Sequence, residues 1–176
     1  MNLDKDKMEE ECGVFGIYTK EEPSVIHHMF YGLFALQHRG QESAGVSISK
    51  NGNIKTHKAM GLVTHVLNDK VMETLEGNVA IGHVRYSTCG DSNVSNAQPL
   101  EGHCKLGQIA IAHNGTLTNA KIVRELLEET GAVFQSTIDS EVILSLTSRK
   151  ASKGLEQAIV DAINMIQGAY AIVMTV

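Results

Sequence analysis

A polar leader of eleven residues, with five acids and two lysines, gives way at Cys12 to Gly13-Val14-Phe15-Gly16-Ile17. The β-formers Val14, Phe15 and Ile17 predict a strand with Cys12 at its first position. Pro23 and Ser24 suit a helix start, and Val25, Ile26, Met29, Phe30, Leu33, Phe34 and Leu36 then fall near helical spacing up to Gly40. Such a wide apolar stripe implies a helix buried over much of its surface. Residues 45–49 alternate as a strand, Asn51-Gly52 signals a type I′ hairpin, and residues 54–58 return. Val63, Val66, Leu67, Val71 and Leu75 predict one short helix closed by Gly77, and residues 79–86 the next strand. Residues 87–105 read as a loop, and residues 108–113 as a strand broken at Asn114-Gly115. Helices follow from a cap at Thr118 or Asn119 to Gly131, from Asp139 or Ser140 through Leu146, and from Leu155 to Gln167. Residues 169–176 form a continuous apolar strand, so the chain stops inside an element, as a fragment of a larger fold would. Strands clustered early and helices alternating later point to an α/β or α+β class.

The 176 residues suffice for one domain with a real core, and 43% hydrophobic and 20% charged residues are ordinary for a globular protein. A net charge of −5 without a basic patch argues against nucleic acid as a partner. The leader is too acidic for a secretory signal, and no apolar run approaches membrane-spanning length. Cys12, Cys89 and Cys104 make an odd count without a disulfide framework, which points to a reducing, cytoplasmic setting.

Five places carry candidate chemistry. If the Glu11–Cys12 bond were cut, Cys12 would hold a thiol and an α-amine of ordinary pKa about 7.7–8.0, nucleophile and base in one residue. The plain alternative is a small buried strand cysteine. Gln37-His38-Arg39-Gly40-Gln41-Glu42-Ser43-Ala44-Gly45 sits at a helix-to-strand corner, where Arg39 either braces a reactive loop or lies exposed on a turn. Arg85, with Ser87 and Thr88, ends a buried-type strand, where its planar fork suits a carboxylate or a structural ion pair. At Asn114-Gly115 a side-chain amide and the next N–H can converge on one oxygen, the composition of an oxyanion hole, or make a simple turn. Asp139 caps a helix and could also bind a substrate ammonium group. The eight histidines lack metal-ligand spacing, Cys104 beside His103 is incidental, and no phosphate-cradling glycine motif is present.

In this order, Cys12-Gly13-Val14-Phe15-Gly16, residues 37–45, Gly82-His83-Val84-Arg85-Tyr86-Ser87-Thr88, His113-Asn114-Gly115 and Gly168-Ala169-Tyr170-Ala171 closely resemble the glutaminase domain of the amidophosphoribosyltransferases, the family that opens purine biosynthesis. The resemblance runs from Cys12 to Val176. It implies an α+β fold, the four-layer αββα sandwich of N-terminal nucleophile hydrolases, C-terminally incomplete here. Residues 1–11 would be a removable propeptide and residues 12–176 the class II glutaminase domain, with the phosphoribosyltransferase domain absent.

By the same resemblance, Cys12 attacks the side-chain amide of glutamine, with its α-amine as base and then as acid. Asn114 and Gly115 form the oxyanion hole, Arg85 and Thr88 hold the α-carboxylate, Asp139 binds the α-ammonium, and Arg39 and Gly40 shape the loop over Cys12. Cys89 stands where the family has a small apolar residue or a histidine. No cofactor is implied within this chain. Magnesium, phosphoribosyl pyrophosphate and, in propeptide-bearing relatives, a 4Fe-4S cluster belong to the missing part, and the full-length protein would be a homo-oligomer. Two other readings compete. The glutaminase domain of glutamine:fructose-6-phosphate amidotransferase shares the nucleophile, Arg and Asn-Gly elements, but its cysteine follows the initiator Met directly. A non-catalytic glutamine-binding module would not need every reactive residue type kept.

Overall fold

The computed structural model describes residues 12–21, 23–86 and 92–176. The leader, Thr88 and Cys89 lie outside the described residues. Strands β1 (Gly13–Tyr18), β2 (Ser43–Lys50), β3 (Asn53–Met60) and β4 (Val79–Arg85) make an antiparallel sheet in the order β1-β4-β2-β3. Strands β5 (Leu100–Cys104), β6 (Gly107–Leu117) and β7 (Gly168–Thr175) make a second, in the order β5-β6-β7. Helix α1 (Ile26–Ala35) and the short turns α2 (Val63–Val66) and α3 (Asp69–Met72) cover the first sheet. Helices α4 (Ala120–Glu129), α5 (Ser140–Lys150) and α6 (Leu155–Ile163) cover the second. The sheets face each other, which completes an α+β, four-layer αββα sandwich.

The two outer interfaces are apolar. Met29 and Leu33 of α1 are fully buried in the core it forms over β1 and β4, each side chain contributing about 1.5–3 kcal/mol by leaving water. Ile109, Ile111, Val142, Ile143 and Leu146 build the equivalent core under α5. The layer between the sheets differs. Its apolar part is small, namely Ile54, Ile81, Ala110 and Ala112 with Val14 and Val173 at the margin. Buried polar groups call for partners, and directional bonds across this layer supply several of them. The Gln108 amide accepts from the Ile54 N–H at 2.8 Å and donates to the Ile54 carbonyl at 3.2 Å, tying β6 to β3. His83 Nε2 of β4 lies 3.2 Å from the His113 carbonyl of β6.

Both hairpin residues have positive φ, Asn51 at 52° and Gly52 at 79°, as a type I′ turn requires. Elsewhere local pattern yields to tertiary context. The helix expected over residues 63–75 divides in two, because the Asn68 side chain accepts from the Val71 N–H at 3.2 Å and starts α3 afresh. The stretch read as a loop over 87–105 contains β5, whose Leu-Glu-Gly-His-Cys carries little β-propensity and is recruited by pairing with β6. The strand β6 does not break at Asn114-Gly115 but runs on to Leu117. The helix from Leu155 stops at Ile163 rather than Gln167, and β7, expected to be buried, is the half-covered edge of its sheet.

Candidate active site

A pocket of about 390 Å³ opens where the ends of β1, β4 and β6 meet the start of α5; its walls include Cys12, Arg85, Gly115 and Asp139. Cys12 immediately precedes β1. Its sulfur accepts from the Tyr86 N–H at 3.2 Å and lies 3.4 Å from the Tyr86 carbonyl, which holds the thiol against the end of β4. Arg39, on the 3-10 turn after α1, donates its Nε–H to the Cys12 carbonyl at 3.2 Å. Gly40 is required by space: a Cβ there would come 2.6 Å from the Arg85 carbonyl carbon and 2.7 Å from that of Val84. The corner motif therefore braces the Cys12 backbone from one side and β4 from the other.

Arg85 reaches the pocket from the last position of β4, although it is only 3% exposed. Its Nη1 donates to Glu42 Oε1 at 2.7 Å, while Glu42 Oε2 is buried without a hydrogen-bond partner among the described residues. A buried cation needs such a counter-charge. The ion pair and the pocket-facing position, the two alternatives open at Arg85, thus occur together. Nothing in the residues flanking Glu42 marked it as the partner of an arginine 43 positions away.

Asn114 and Gly115 stand on β6, opposite Ala171 and Tyr170 of β7. Gly115 lines the pocket with φ +134°, and a Cβ there would run into the Ala169 carbonyl oxygen. Asn114 is half-buried beside it and is not among the pocket-lining residues. Asp139 occupies the N-cap position of α5, but its side chain makes no capping bond. Instead Oδ2 accepts from the Leu117 N–H at 2.9 Å and Oδ1 lies 3.5 Å from His113 Nδ1, which leaves the carboxylate facing the pocket. Asn119 likewise occupies the N-cap position of α4 without a side-chain capping bond. The Asn119 amide serves the Gln167 N–H at 2.8 Å and the Met165 carbonyl at 2.9 Å.

Burial pushes the His83 imidazole down to about 3, so this ring is neutral at physiological pH. Burial also lowers His113, opposed by the nearby Asp139 carboxylate; its Nδ1 lies 2.9 Å from Ser140 Oγ. Among the described residues no group of three His, Cys, Asp or Glu side chains is placed to hold a metal ion. The sequence alone assigned no role to Glu42, Gln98, His113, Lys121 or Arg124, the last four of which line the pocket. Lys121 and Arg124 lie on the α4 face that flanks the cavity; their helical spacing was the one available signal.

The family described as glutamine amidotransferase domain matches residues 83–175, more than half of the chain and all of the second sheet. The chain belongs to this family. It is 50% identical over 149 residues to the amidophosphoribosyltransferase of Methanothermobacter thermautotrophicus, a match covering 84% of this chain and 31% of that protein. It is 46% identical over 165 residues to the amidophosphoribosyltransferase of Methanocaldococcus jannaschii, covering 93% and 35% respectively. Among solved structures it is similar to the glutamine phosphoribosylpyrophosphate amidotransferase of B. subtilis in complex with ADP and GMP. That similarity has a TM-score of 0.83 and 37% identity, and covers 92% of this chain and 34% of that one. The chain spans about a third of the length of the curated relatives it matches. As an amidotransferase domain it has the expected sandwich, with the pocket at one end of both sheets.

Proposed function

We propose that this chain is the glutaminase half of a longer amidophosphoribosyltransferase, with Cys12 as nucleophile. The observation that carries the reading is one pocket that joins the Cys12 thiol, held by Tyr86, to a pocket-facing Asp139 carboxylate, the Arg85 guanidinium and the Gly115 backbone. In this reading residues 1–11 are removed and the freed α-amine of Cys12 takes the thiol proton. Sulfur attacks the side-chain amide carbon of glutamine. The oxygen gains negative charge facing the Asn114 amide and the Gly115 N–H, donors placed where charge develops. The C–N bond then breaks, with the proton on the α-amine passing to the leaving ammonia. Water attacks the resulting thioester and releases glutamate. Asp139 receives the substrate ammonium, and Arg85, steadied by Glu42, receives its carboxylate with Thr88. Arg39 and Gly40 hold the Cys12 backbone.

The ammonia would form phosphoribosylamine from phosphoribosyl pyrophosphate, the first step of purine biosynthesis, in the part of the protein outside this chain. Magnesium and, in propeptide-bearing relatives, a 4Fe-4S cluster would belong to that part. A cytoplasmic homo-oligomer is the setting that fits, and no described helix is long and apolar enough to cross a membrane.

The test is labelling of the full-length, processed protein with a glutamine-analogue diazoketone, followed by peptide mapping. The adduct is expected on Cys12, with loss of glutaminase activity, and not on Cys89 or Cys104. An adduct chiefly on Cys89, or a fully active protein that still carries residues 1–11, would overturn the assignment.

A further inference from the structure

The register of β5 against β6 pairs Leu100 with Ile111 and Gly102 with Ile109, and β5 begins at Leu100. Continued by two residues, the same register would place Gln98 opposite His113. The backbone ladder has ended there, but the bonds it would make are present. Gln98 Oε1 accepts from the His113 N–H at 2.8 Å, and Gln98 Nε2 donates to the His113 carbonyl at 3.0 Å. A side-chain amide carries the same acceptor and donor as a peptide group, so Gln98 acts as one more residue of strand. Its seat is built for this. Gln98 is 6% exposed, and Lys58 Nζ donates to the preceding Ala97 carbonyl at 2.6 Å. The Asn96 amide engages Thr137 through bonds of 2.9 and 3.0 Å. Gly45 lets the Gln98 carbonyl approach β2 where a Cβ would collide with it.

Backbone groups alternate between the two edges of a strand. The His113 N–H points to Gln98 and the Leu117 N–H to Asp139, both away from β7, whereas the Thr118 N–H bonds to the Gln167 carbonyl on the other side. Gly115, midway between His113 and Leu117, shares their edge. Strand alternation thus puts its N–H on the pocket side, between two side-chain clamps.

We infer that Gln98 is a positioning residue for oxyanion stabilisation, its side-chain amide holding the His113 end of β6 so that the Gly115 N–H and the Asn114 amide are aimed into the pocket. The inference rests on the glutaminase reading above. It predicts an effect on the charged transition state and not on the resting nucleophile. The experiment uses the full-length, processed protein and compares wild type with Gln98→Leu and Gln98→Glu. Gln98→Glu keeps the acceptor for the His113 N–H and loses the donor to its carbonyl. Three quantities are read: glutaminase kcat and KM, the rate at which iodoacetamide alkylates Cys12, and the melting temperature. Alkylation is a displacement at a saturated carbon and develops no oxyanion.

Gln98→Leu is expected to lower kcat by about tenfold to a hundredfold, with KM and alkylation within about twofold of wild type. Gln98→Glu should fall between the two. A Gln98→Leu enzyme with wild-type kcat would overturn the inference alone. So would a loss of kcat matched by an equal loss of alkylation rate or by a variant that fails to fold when Gln98→Glu is folded and fully active. A wild-type protein without glutaminase activity would overturn this inference and its parent reading together.

Discussion

The two halves of β6 are held in different ways. From Gly107 to Ile111 the strand has a neighbour on each edge or an apolar core beneath it, and its backbone pairs with β5 residue for residue. From His113 to Leu117, among the described residues only β7 pairs with it, and the opposite edge is served by side chains, Gln98 at one end and Asp139 at the other. Where backbone satisfies backbone, little is left over for a ligand. Where side chains replace a strand, the gap between them leaves backbone donors turned toward a cavity. The same strand thus supplies core at one end and candidate chemistry at the other.

This contrast can be broken first at its glycines. Gly115→Ala should cost roughly 3–5 kcal/mol, since it adds left-handed backbone strain and a collision with the Ala169 carbonyl. Chemical denaturation, together with loss of activity in the folded fraction, measures it. The next largest effect is expected at Asn114. Asn114→Ala should lower glutaminase turnover by ~10²–10³, about 2.7–4 kcal/mol in the barrier, with little change in the KM for glutamine. A variant whose KM alone rises would move Asn114 from the oxyanion to substrate binding.

The open half should also be the acid-sensitive one. Burial holds His83 neutral down to about 3, whereas in the unfolded chain the ring takes up a proton below about 6.5. The unfolded state then binds more protons, so this contribution is full above pH ~6.5 and is lost as pH falls from there toward about 3. Melting temperatures across that window should drop less steeply in His83→Gln, which keeps an N–H for the His113 carbonyl. The smallest effect belongs to the covered half. Gly102→Ala places its Cβ 3.6 Å from Leu144 Cδ2, an ordinary contact, and should change stability by no more than about 0.5 kcal/mol, with activity unchanged.

What could be read beforehand follows the same division. The first sheet announced itself, because Val46 and Ile48, Asn51-Gly52 and the run from Val79 to Val84 are local signals that the tertiary structure accepts. The residues expected at the site, Cys12, Arg39, Arg85, Gly115 and Asp139, do come together, with Asn114 just beside the pocket wall. The strand β5 was illegible because its reason to be a strand is the exposed edge of β6 and not its own composition. Gln98 and Glu42 were illegible because each acts on a backbone group or a charge distant in sequence, and a polar residue in a loop or corner does not disclose what it will meet. Asp139 was legible as a helix start, but its side chain turned to Leu117, a choice made by the packing of β6 against α5.

The polar bonds that cross between the sheets bear on mechanical alignment. Cys12 rides on the first sheet, and Asn114 and Gly115 on the second. Two faces in purely greasy contact can shear past one another, because dispersion has no preferred direction. Here Gln108 grips Ile54 at one end of β6, and His83 meets the His113 carbonyl near the other. A slip of even half a residue would stretch both bonds at once. The sandwich therefore works as a caliper: two rigid jaws pinned at separate points, with the distance between the Cys12 sulfur and the Asn114-Gly115 segment set by the pins.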